Sequence, residues 1–268
     1  MATAKIELRM ARDPVRVNLL SEVTAQPRRV ALGTFDGVHL GHQRVIRGMD
    51  TLLTFSRHPR SIVGEAPKLL TDLATKIERL QALGVSEIVL LPFDRETAEL
   101  SPERFVDEIL VDNLGTTEIS VGENFRFGHR ASGGADDLLA DARFATRVVP
   151  LMRSAGEVIS STRIRTLIEE GRLLEAELLL GGPFTVRCLV SSRNEAGEIT
   201  GLLWPEEVIQ PASTRCSARL HSTPDGAAGF ELTKSPDDDR LWHCSPLSRA
   251  IAESDEVAID LCRDERSG

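Results

Sequence analysis

The chain reads Gly-Thr-Phe-Asp-Gly-Val-His-Leu-Gly-His from Gly33 to His42, directly after the apolar run Val30-Ala-Leu32. A short apolar run followed by glycines and a helical pattern is typical of a strand that turns into a helix. In open α/β sheets, ligands bind at the carboxyl ends of the strands, where such turns lie. The stretch therefore predicts a phosphate-binding turn, in which His39 and His42 donate to phosphate oxygens and Gly41 permits close approach.

The apolar segments around this turn predict an α/β fold with a Rossmann-like, doubly wound parallel sheet. Predicted strands cover 29–32, 51–55, 87–91, 118–121 and 147–151, and predicted helices cover 42–48, 73–83, 102–114 and 161–180. The spacer between the first helix and the second strand is short, which leaves little room for a full helix. After residue 182 the apolar segments shorten and turn residues multiply, which predicts a smaller, mostly β, barrel-like domain. We therefore expect one domain over 1–181 and a second over 182–268.

A second strand-to-helix junction runs from Val158 to Arg165 and carries three hydroxyl side chains in a row. Ser160, Ser161 and Thr162 can cap a helix and can also bind an anion at its N-terminus. Arg165 lies one turn further on, where its forked guanidinium can reach a phosphate. On these residues alone, an ordinary helix cap with surface arginines is the favoured interpretation. The presence of the first turn on the same sheet edge favours a polyphosphate clamp.

Two loops between these junctions combine aromatic and polar side chains. The segment Gly122–Gly128 holds an amide, a guanidinium and two phenyl rings, and the segment Thr54–Pro59 closes the second predicted strand in a similar way. Rings at these positions are able to sandwich a planar ligand between their faces. The simpler alternative is a loop held by a local hydrophobic anchor.

Composition excludes some classes of function. The 268 residues carry a net charge of −9 with a pI near 5.3, so no global basic field indicates a nucleic-acid partner. No apolar run approaches the roughly 18 residues that a membrane helix needs, and the first twelve residues lack the apolar core of a signal peptide. The four cysteines are widely spaced, which predicts buried free thiols. We expect a cytoplasmic protein with no membrane or nucleic-acid partner.

Residues 30–181 resemble the N-terminal FMN adenylyltransferase module of the prokaryotic bifunctional riboflavin kinase/FAD synthetases. The motifs that carry this resemblance appear in the family's order: Gly33–Gln43, Thr54–Pro59, Leu69–Lys76, Leu91–Asp94, Leu100–Phe105, Gly122–Gly128 and 159–165, with Gly171 and Ala176 downstream. The resemblance implies transfer of AMP from ATP to FMN, which gives FAD and pyrophosphate and uses Mg²⁺ that arrives with ATP. It implies no metal-binding cluster of protein side chains.

The resemblance also implies roles for individual residues. His39 and His42 would stabilise the transferring phosphate, while Ser161, Thr162 and Arg165 would hold the triphosphate tail. Asn124 and three rings, Phe55, Phe125 and Phe127, would orient the phosphate and the flavin. The remaining residues expected to bind nucleotide or flavin are Gly33, Phe35, Asp36, Gly41, His58, Pro59 and Ser160.

The sequence departs from the family in two places. Ser56 and Arg57 stand where the family usually has an acidic residue and a proline, so we expect a reshaped flavin-side loop. In the second domain, Leu202-Leu-Trp-Pro-Glu206 replaces the kinase motif Pro-Thr-Ala-Asn, which supplies a hydroxyl and an amide to metal and phosphates. The chain also contains no tyrosine, so a tyrosine-bearing turn of the kinase is missing. The acidic residues Glu206, Glu207 and Asp237–Asp239 are interpreted as solvated loop charges.

Three functions remain open on the sequence. The first is an FMN adenylyltransferase with a degenerate kinase-like domain, and the second is a fully bifunctional riboflavin kinase/FAD synthetase. The third is a non-catalytic flavin- or nucleotide-binding relative that uses its C-terminal domain to bind a partner. The sequence makes no prediction of oligomeric state.

Overall fold

The computed structural model describes residues 14–55, 67–221, 229–247 and 255–262. The helices are α1 (Leu40–Ile46), α2 (Leu73–Ala82), α3 (Arg95–Glu99), α4 (Pro102–Arg104), α5 (Ala135–Ala140), α6 (Ser161–Glu169) and α7 (Leu173–Leu180). The strands are β1 (Arg16–Leu19), β2 (Arg28–Leu32), β3 (Thr51–Phe55), β4 (Glu87–Leu91), β5 (Thr116–Gly122), β6 (Arg126–Phe127), β7 (Gly133–Gly134), β8 (Ala145–Val149), β9 (Arg153–Ser154), β10 (Glu157–Val158), β11 (Phe184–Arg193), β12 (Ile199–Leu203), β13 (Arg215–Leu220), β14 (Phe230–Lys234), β15 (Leu241–Leu247) and β16 (Glu256–Cys262).

Six parallel strands form a sheet in the order β1-β4-β3-β2-β5-β8, which confirms the predicted doubly wound α/β fold. From β2 the chain first builds outward on one side, through β3 and β4, and then returns to place β5 on the other side. This reversal of strand order opens a crevice at the carboxyl end of β2, where ligands of such sheets bind. The turn Gly33–His42 begins at this point.

Both faces of the sheet are buried at its central strands β2, β3 and β4. In β2, Val30 and Leu32 pack into one hydrophobic cluster, whereas Ala31 between them packs into another on the opposite face. The same alternation separates Leu53 from Leu52 in β3. Successive side chains of a strand point to opposite faces, so continuous apolar runs are what a sheet covered on both sides requires.

Strands from residues 184–262 close into a six-stranded antiparallel barrel in the order β11-β12-β15-β14-β13-β16, which confirms the predicted β barrel. Trp204 and Trp242 fill its interior, with ring centroids 5.6 Å apart. The barrel core is continuous with buried side chains of α6 and α7. The domain boundary at 181/182 therefore remains a prediction.

Several predicted boundaries were wrong by about two residues, for identifiable reasons. Helix α1 begins at Leu40 rather than at 42, because the side chain of His39 caps it by accepting from the backbone N–H of His42 at 3.3 Å. This early start lets a seven-residue helix fit the short spacer. Strand β8 ends at Val149 rather than at 151, because Pro150 has no N–H to extend the ladder. The predicted helix 102–114 begins at Pro102 but is wound as a π-helix over Phe105–Asn113.

The structure also tests the predictions about the helical segment 161–180 and the cysteines. The predicted segment 161–180 is a pair of helices that ends at Gly181, a residue with the left-handed φ of 75°. Cys188 and Cys216 are buried and Cys244 and Cys262 are partly buried, all as free thiols. Within the described ranges, no helix is both long and apolar enough to span a bilayer.

Candidate active site

One cavity of about 1030 Å³ lies over the carboxyl ends of the parallel strands. It is lined by the predicted site residues Gly33, Phe35, His39, Gly41, His42, Phe55, Asn124, Phe125, Phe127, Ser160, Ser161 and Thr162. Pockets for a single small ligand commonly range from about 300 to 1,000 Å³. The volume here is close to the upper end of that range. Two other predicted residues, His58 and Pro59, lie outside the described residues, as do Ser56 and Arg57.

The turn Gly33–His42, called the nucleotide turn below, holds two stacked imidazoles. The rings of His39 and His42 lie 3.6 Å apart between centroids, at an interplanar angle of 15°. A Cβ atom placed on Gly41 would lie 3.2 Å from the His39 ring, so this position favours glycine. The ring of Phe35 packs edge-on against His42 at 5.4 Å. Sequence and packing together present both imidazoles to one cavity.

Both histidines are neutral at pH 7. Burial lowers the pKa of His39 from 6.5 to about 4. Burial also holds the pKa of His42 well below its ordinary value, and the neighbouring His39 and Lys76 lower it further. The ammonium of Lys76 donates to the carbonyl oxygen of Thr34 at 3.0 Å, inside the nucleotide turn. Burial lowers the pKa of Lys76 as well, and the carboxylate of Asp36 opposes that shift.

We expect the depressed pKa of His39 to make the protein less stable in acid. Its pKa is about 4 when folded and near 6.5 when unfolded, so below pH 6.5 the unfolded chain binds the extra proton. Stability falls as the pH drops from 6.5 toward 4, by on the order of 2 kcal/mol at pH 4.5. The variant His39→Asn, which keeps an acceptor at the helix cap, should lose this contribution in urea unfolding measured at pH 7 and pH 4.5.

The control for this measurement is His243→Asn, because His243 is exposed on the barrel. That variant should keep the full acid sensitivity of the unsubstituted chain. If His39→Asn and the unsubstituted chain lose equal stability between the two pH values, burial of a neutral His39 does not contribute to acid sensitivity.

The N-terminus of α6 faces the same cavity. Ser160 caps the helix by accepting from the backbone N–H of Arg163 at 3.2 Å. The hydroxyl of Ser161 donates to the carbonyl oxygen of Asp36 at 3.0 Å, which joins the two strand-to-helix junctions. Thr162 is exposed at the cavity wall. The two predicted phosphate-binding elements are thus brought together.

Arg165 and Asp36 do not line the cavity. The guanidinium of Arg165 donates to the Asp36 carboxylate at 2.7 Å and to the carbonyl oxygen of Lys68 at 2.6 Å. The other carboxylate oxygen of Asp36 accepts from the backbone N–H of Leu70 at 2.9 Å. The side chains of Asp36 and Arg165 are 3% and 13% exposed. The Asp36–Arg165 ion pair therefore supports the nucleotide turn from behind the cavity wall. The predicted contacts of these two residues with a ligand remain predictions.

Aromatic side chains also line this cavity. Phe55 meets Phe93 edge-on at 5.2 Å, and the rings of Phe125 and Phe127 are stacked at 5.8 Å. Asn124 lies beside them, with its Oδ1 3.3 Å from the position of a Cβ on Gly122. A planar ligand can rest against such ring faces.

Sequence reasoning missed several lining residues: Phe93, Arg95, Arg126, His129 and Arg130. Phe93 lies in the motif Leu91–Asp94 and Arg126 in the motif Gly122–Gly128, so the sequence did contain a signal for these two residues. Lys76 was noticed only as part of a motif, yet its ammonium contacts the nucleotide turn. Arg130 carries a left-handed φ of 55° without being glycine, a conformation that sequence patterns do not reveal.

The parallel sheet, the His-x-Gly-His turn and the facing helix N-terminus define an α/β protein of the nucleotidyltransferase class. Residues 21–163 match the model of the FAD synthetase family, and the chain belongs to that family.

Curated relatives agree with this assignment. A bifunctional riboflavin kinase/FMN adenylyltransferase of Listeria monocytogenes is 38% identical over 187 residues, which cover 64% of this chain and 59% of the relative. An FAD synthetase of the same organism is 32% identical over 215 residues and covers 72% of this chain and 84% of the relative. The matched segment thus spans less than two thirds of the first relative's length.

A solved structure shows the same fold over nearly the whole chain. A protein of Streptococcus pneumoniae described as a macrolide-efflux protein superposes with a TM-score of 0.79, covering 95% of this chain and 93% of that chain. Its sequence identity is 23%, so the likeness concerns the fold alone.

Proposed function

We propose that the chain is an FMN adenylyltransferase, which transfers AMP from ATP to FMN and releases pyrophosphate. One observation carries the proposal: a single cavity is lined both by the stacked His39–His42 pair with the N-terminus of α6 and by clustered phenyl rings. The first group suits a polyphosphate and the second suits a flavin ring. Membership of the FAD synthetase family supports the same assignment.

The reaction requires alignment rather than a general base. An oxygen of the FMN phosphate, already an anion at neutral pH, attacks the α-phosphorus of ATP. A new P–O bond forms, the bond from the α-phosphorus to the oxygen bridging the β-phosphorus breaks, and pyrophosphate leaves with that oxygen. No proton has to be removed from the nucleophile. The site therefore has to hold the two substrates in line and stabilise negative charge on the transferring group.

The neutral histidine pair suits that task. Neutral imidazoles supply N–H donors to phosphate oxygens, and their burial keeps water away from the donors. A charged phosphate beside them favours the protonated form, so substrate binding raises their pKa values. Thr162 and the N-terminus of α6 contribute at the triphosphate end. Asn124 and the rings of Phe55 and Phe125 orient the flavin end.

ATP is taken as its magnesium complex in this proposal. The described residues contain no group of three or more His, Cys, Asp or Glu side chains placed to hold a metal ion. Mg²⁺ binds phosphate oxygens and water readily, so it can be carried on the nucleotide. The free thiols of the described chain support the proposed cytoplasmic location.

We also propose that riboflavin kinase activity is lost. In the segment that replaces the kinase motif, Leu202 and Trp204 are fully buried in the barrel core. The indole N–H of Trp204 donates to the carbonyl oxygen of Val208 at 3.3 Å, so this segment is committed to packing. Neither side chain supplies a metal or phosphate ligand.

A single assay tests both proposals. The purified chain is incubated with Mg·ATP and either FMN or riboflavin, and the flavins are separated by chromatography. We expect FAD from FMN and no product from riboflavin. Formation of FAD from riboflavin would overturn the proposed loss of kinase activity and support the fully bifunctional enzyme. FMN binding without turnover would instead support the non-catalytic relative and overturn the proposed activity.

A further inference from the structure

The backbone of the nucleotide turn is strained. Phe35 and Val38 have left-handed φ angles of 50° and 45°, and Gly37 between them has 80°. A left-handed conformation is unfavourable for a bulky residue and more so for a β-branched one such as Val38. Such conformations cost on the order of 1–3 kcal/mol each and persist only where the surrounding structure holds them. Specific contacts must therefore hold this turn in its observed conformation.

Side chains from three helices donate to four carbonyl oxygens of the turn, those of Thr34, Asp36, Gly37 and Val38. Lys76 of α2 donates to Thr34, and Ser161 of α6 donates to Asp36. The remaining two donors are Arg79 of α2, 3.1 Å from the oxygen of Gly37, and Gln43 of α1, 3.0 Å from the oxygen of Val38.

Two of these donors also bind the segment that leads into the barrel. The second guanidinium nitrogen of Arg79 donates to the carbonyl oxygen of Pro183. The amide of Gln43 also donates to the carbonyl oxygen of Leu180 at 3.0 Å. One arginine therefore spans from Gly37 in the strained turn to Pro183, directly before the barrel. The planar fork of a guanidinium allows this geometry, and a lysine ammonium does not reproduce it.

The barrel favours this position of Arg79 electrostatically. Burial lowers the pKa of Arg79, and the carboxylates of Asp260 in β16 and Asp72 oppose that shift. The turn also packs closely against the neighbouring segment, since a Cβ on Gly37 would lie 2.7 Å from the side chain of Leu70. The residue before it, Leu69, donates its backbone N–H to the carbonyl oxygen of Glu207 in a barrel loop.

We propose that Arg79 is a positioning residue, through which the barrel holds the nucleotide turn in its strained, reactive shape. Arg79 touches no substrate in this proposal. It acts through Gly37 and so on the histidines two and five residues further along. The barrel then contributes to adenylyl transfer whether or not it has chemistry of its own. The inference rests on the proposed FMN adenylyltransferase function for its kinetic part only.

Arg79→Met is nearly isosteric along the side-chain stem and removes the fork. We expect kcat for FAD formation to fall about 10- to 100-fold with KM values for ATP and FMN changed less than about 3-fold, because the turn is misplaced rather than lost. Arg79→Lys should recover little, since one ammonium cannot bind both carbonyl oxygens in the same geometry. Hydrogen exchange of peptides covering 33–42 should become faster in both variants.

The matched control is Glu78→Gln. Glu78 precedes Arg79 on α2 and pairs with Arg187 of β11, so it also links α2 to the barrel but does not touch the turn. It should leave kcat and the exchange of 33–42 unchanged within about 2-fold.

Three results would overturn the proposal. The first is unchanged exchange of 33–42 in Arg79→Met, and the second is faster exchange with an unchanged kcat. The third is an equal effect of Glu78→Gln, which would assign the effect to domain contact in general. If the unsubstituted chain forms no FAD, the proposed function fails, while hydrogen exchange still decides whether Arg79 holds the turn.

Discussion

His42→Ala is expected to lower kcat for FAD formation by about 10²- to 10³-fold, the range found when one donor to a transition-state oxyanion is removed. The imidazole of His42 stacks on His39 at the cavity wall and is half-buried, and its lowered pKa keeps it neutral. The imidazole N–H stabilises the negative charge that develops on the transferring phosphate, and this charge is greater in the transition state than in the ground state. Loss of the N–H should therefore change KM for ATP little. Single-turnover and steady-state rates with Mg·ATP and FMN measure both quantities.

The control for this variant is His243→Ala, on an exposed position of strand β15. It should react at the rate of the unsubstituted chain. Thermal unfolding has to show that His42→Ala stays folded, because its ring also packs against Phe35. A folded His42→Ala variant with an unchanged rate would remove the histidine pair from the mechanism.

Asp36→Ala is expected to destabilise the fold by about 3–5 kcal/mol, because removing one partner of a buried ion pair leaves the other charge uncompensated. The change strands the guanidinium of Arg165 and the backbone N–H of Leu70, both of which bind the Asp36 carboxylate. Urea unfolding measures the loss as a lower midpoint.

The comparison variants separate the charge from the packing. Glu175→Ala removes a partner of the exposed Arg172 ion pair on α7 and should cost less than about 1 kcal/mol. The double variant Asp36→Ala/Arg165→Met should regain part of the loss, since no unpaired charge remains. A single Asp36→Ala variant as stable as Glu175→Ala would show that the pair does not support the turn.

Local sequence signals were sufficient to predict most of the parallel sheet and its helices. Strands such as Thr51–Phe55 and Glu87–Leu91 were predicted at their observed bounds, because each is a short apolar run between clear turn residues. The nucleotide turn was predicted for the same reason, since glycines and histidines at fixed spacing act locally. The parallel order of the strands followed from the alternation of strand and helix.

Contacts between distant residues were beyond such signals. Arg165 is predicted to bind phosphate, and its position one turn inside α6 suits either an anion or a carboxylate. Its partner Asp36 stands 129 residues earlier in the chain, and only the packing of α6 against the nucleotide turn brings them together. Lys76 was overlooked for the same reason, since its acceptor is a backbone oxygen of Thr34, which no pattern of side chains marks.

The long reach of these contacts affects how the protein matures during synthesis. The amide of Gln43 binds the carbonyl oxygen of Leu180, 137 residues further along. A ribosome must therefore extend the chain well past Leu180 before the nucleotide turn has its full set of partners. Distant pairings of this kind form late, because the intervening loop must be closed first. We therefore expect a nascent chain to fold much of its first sheet early and to complete the nucleotide turn only after the segment that contains Leu180 has left the ribosome.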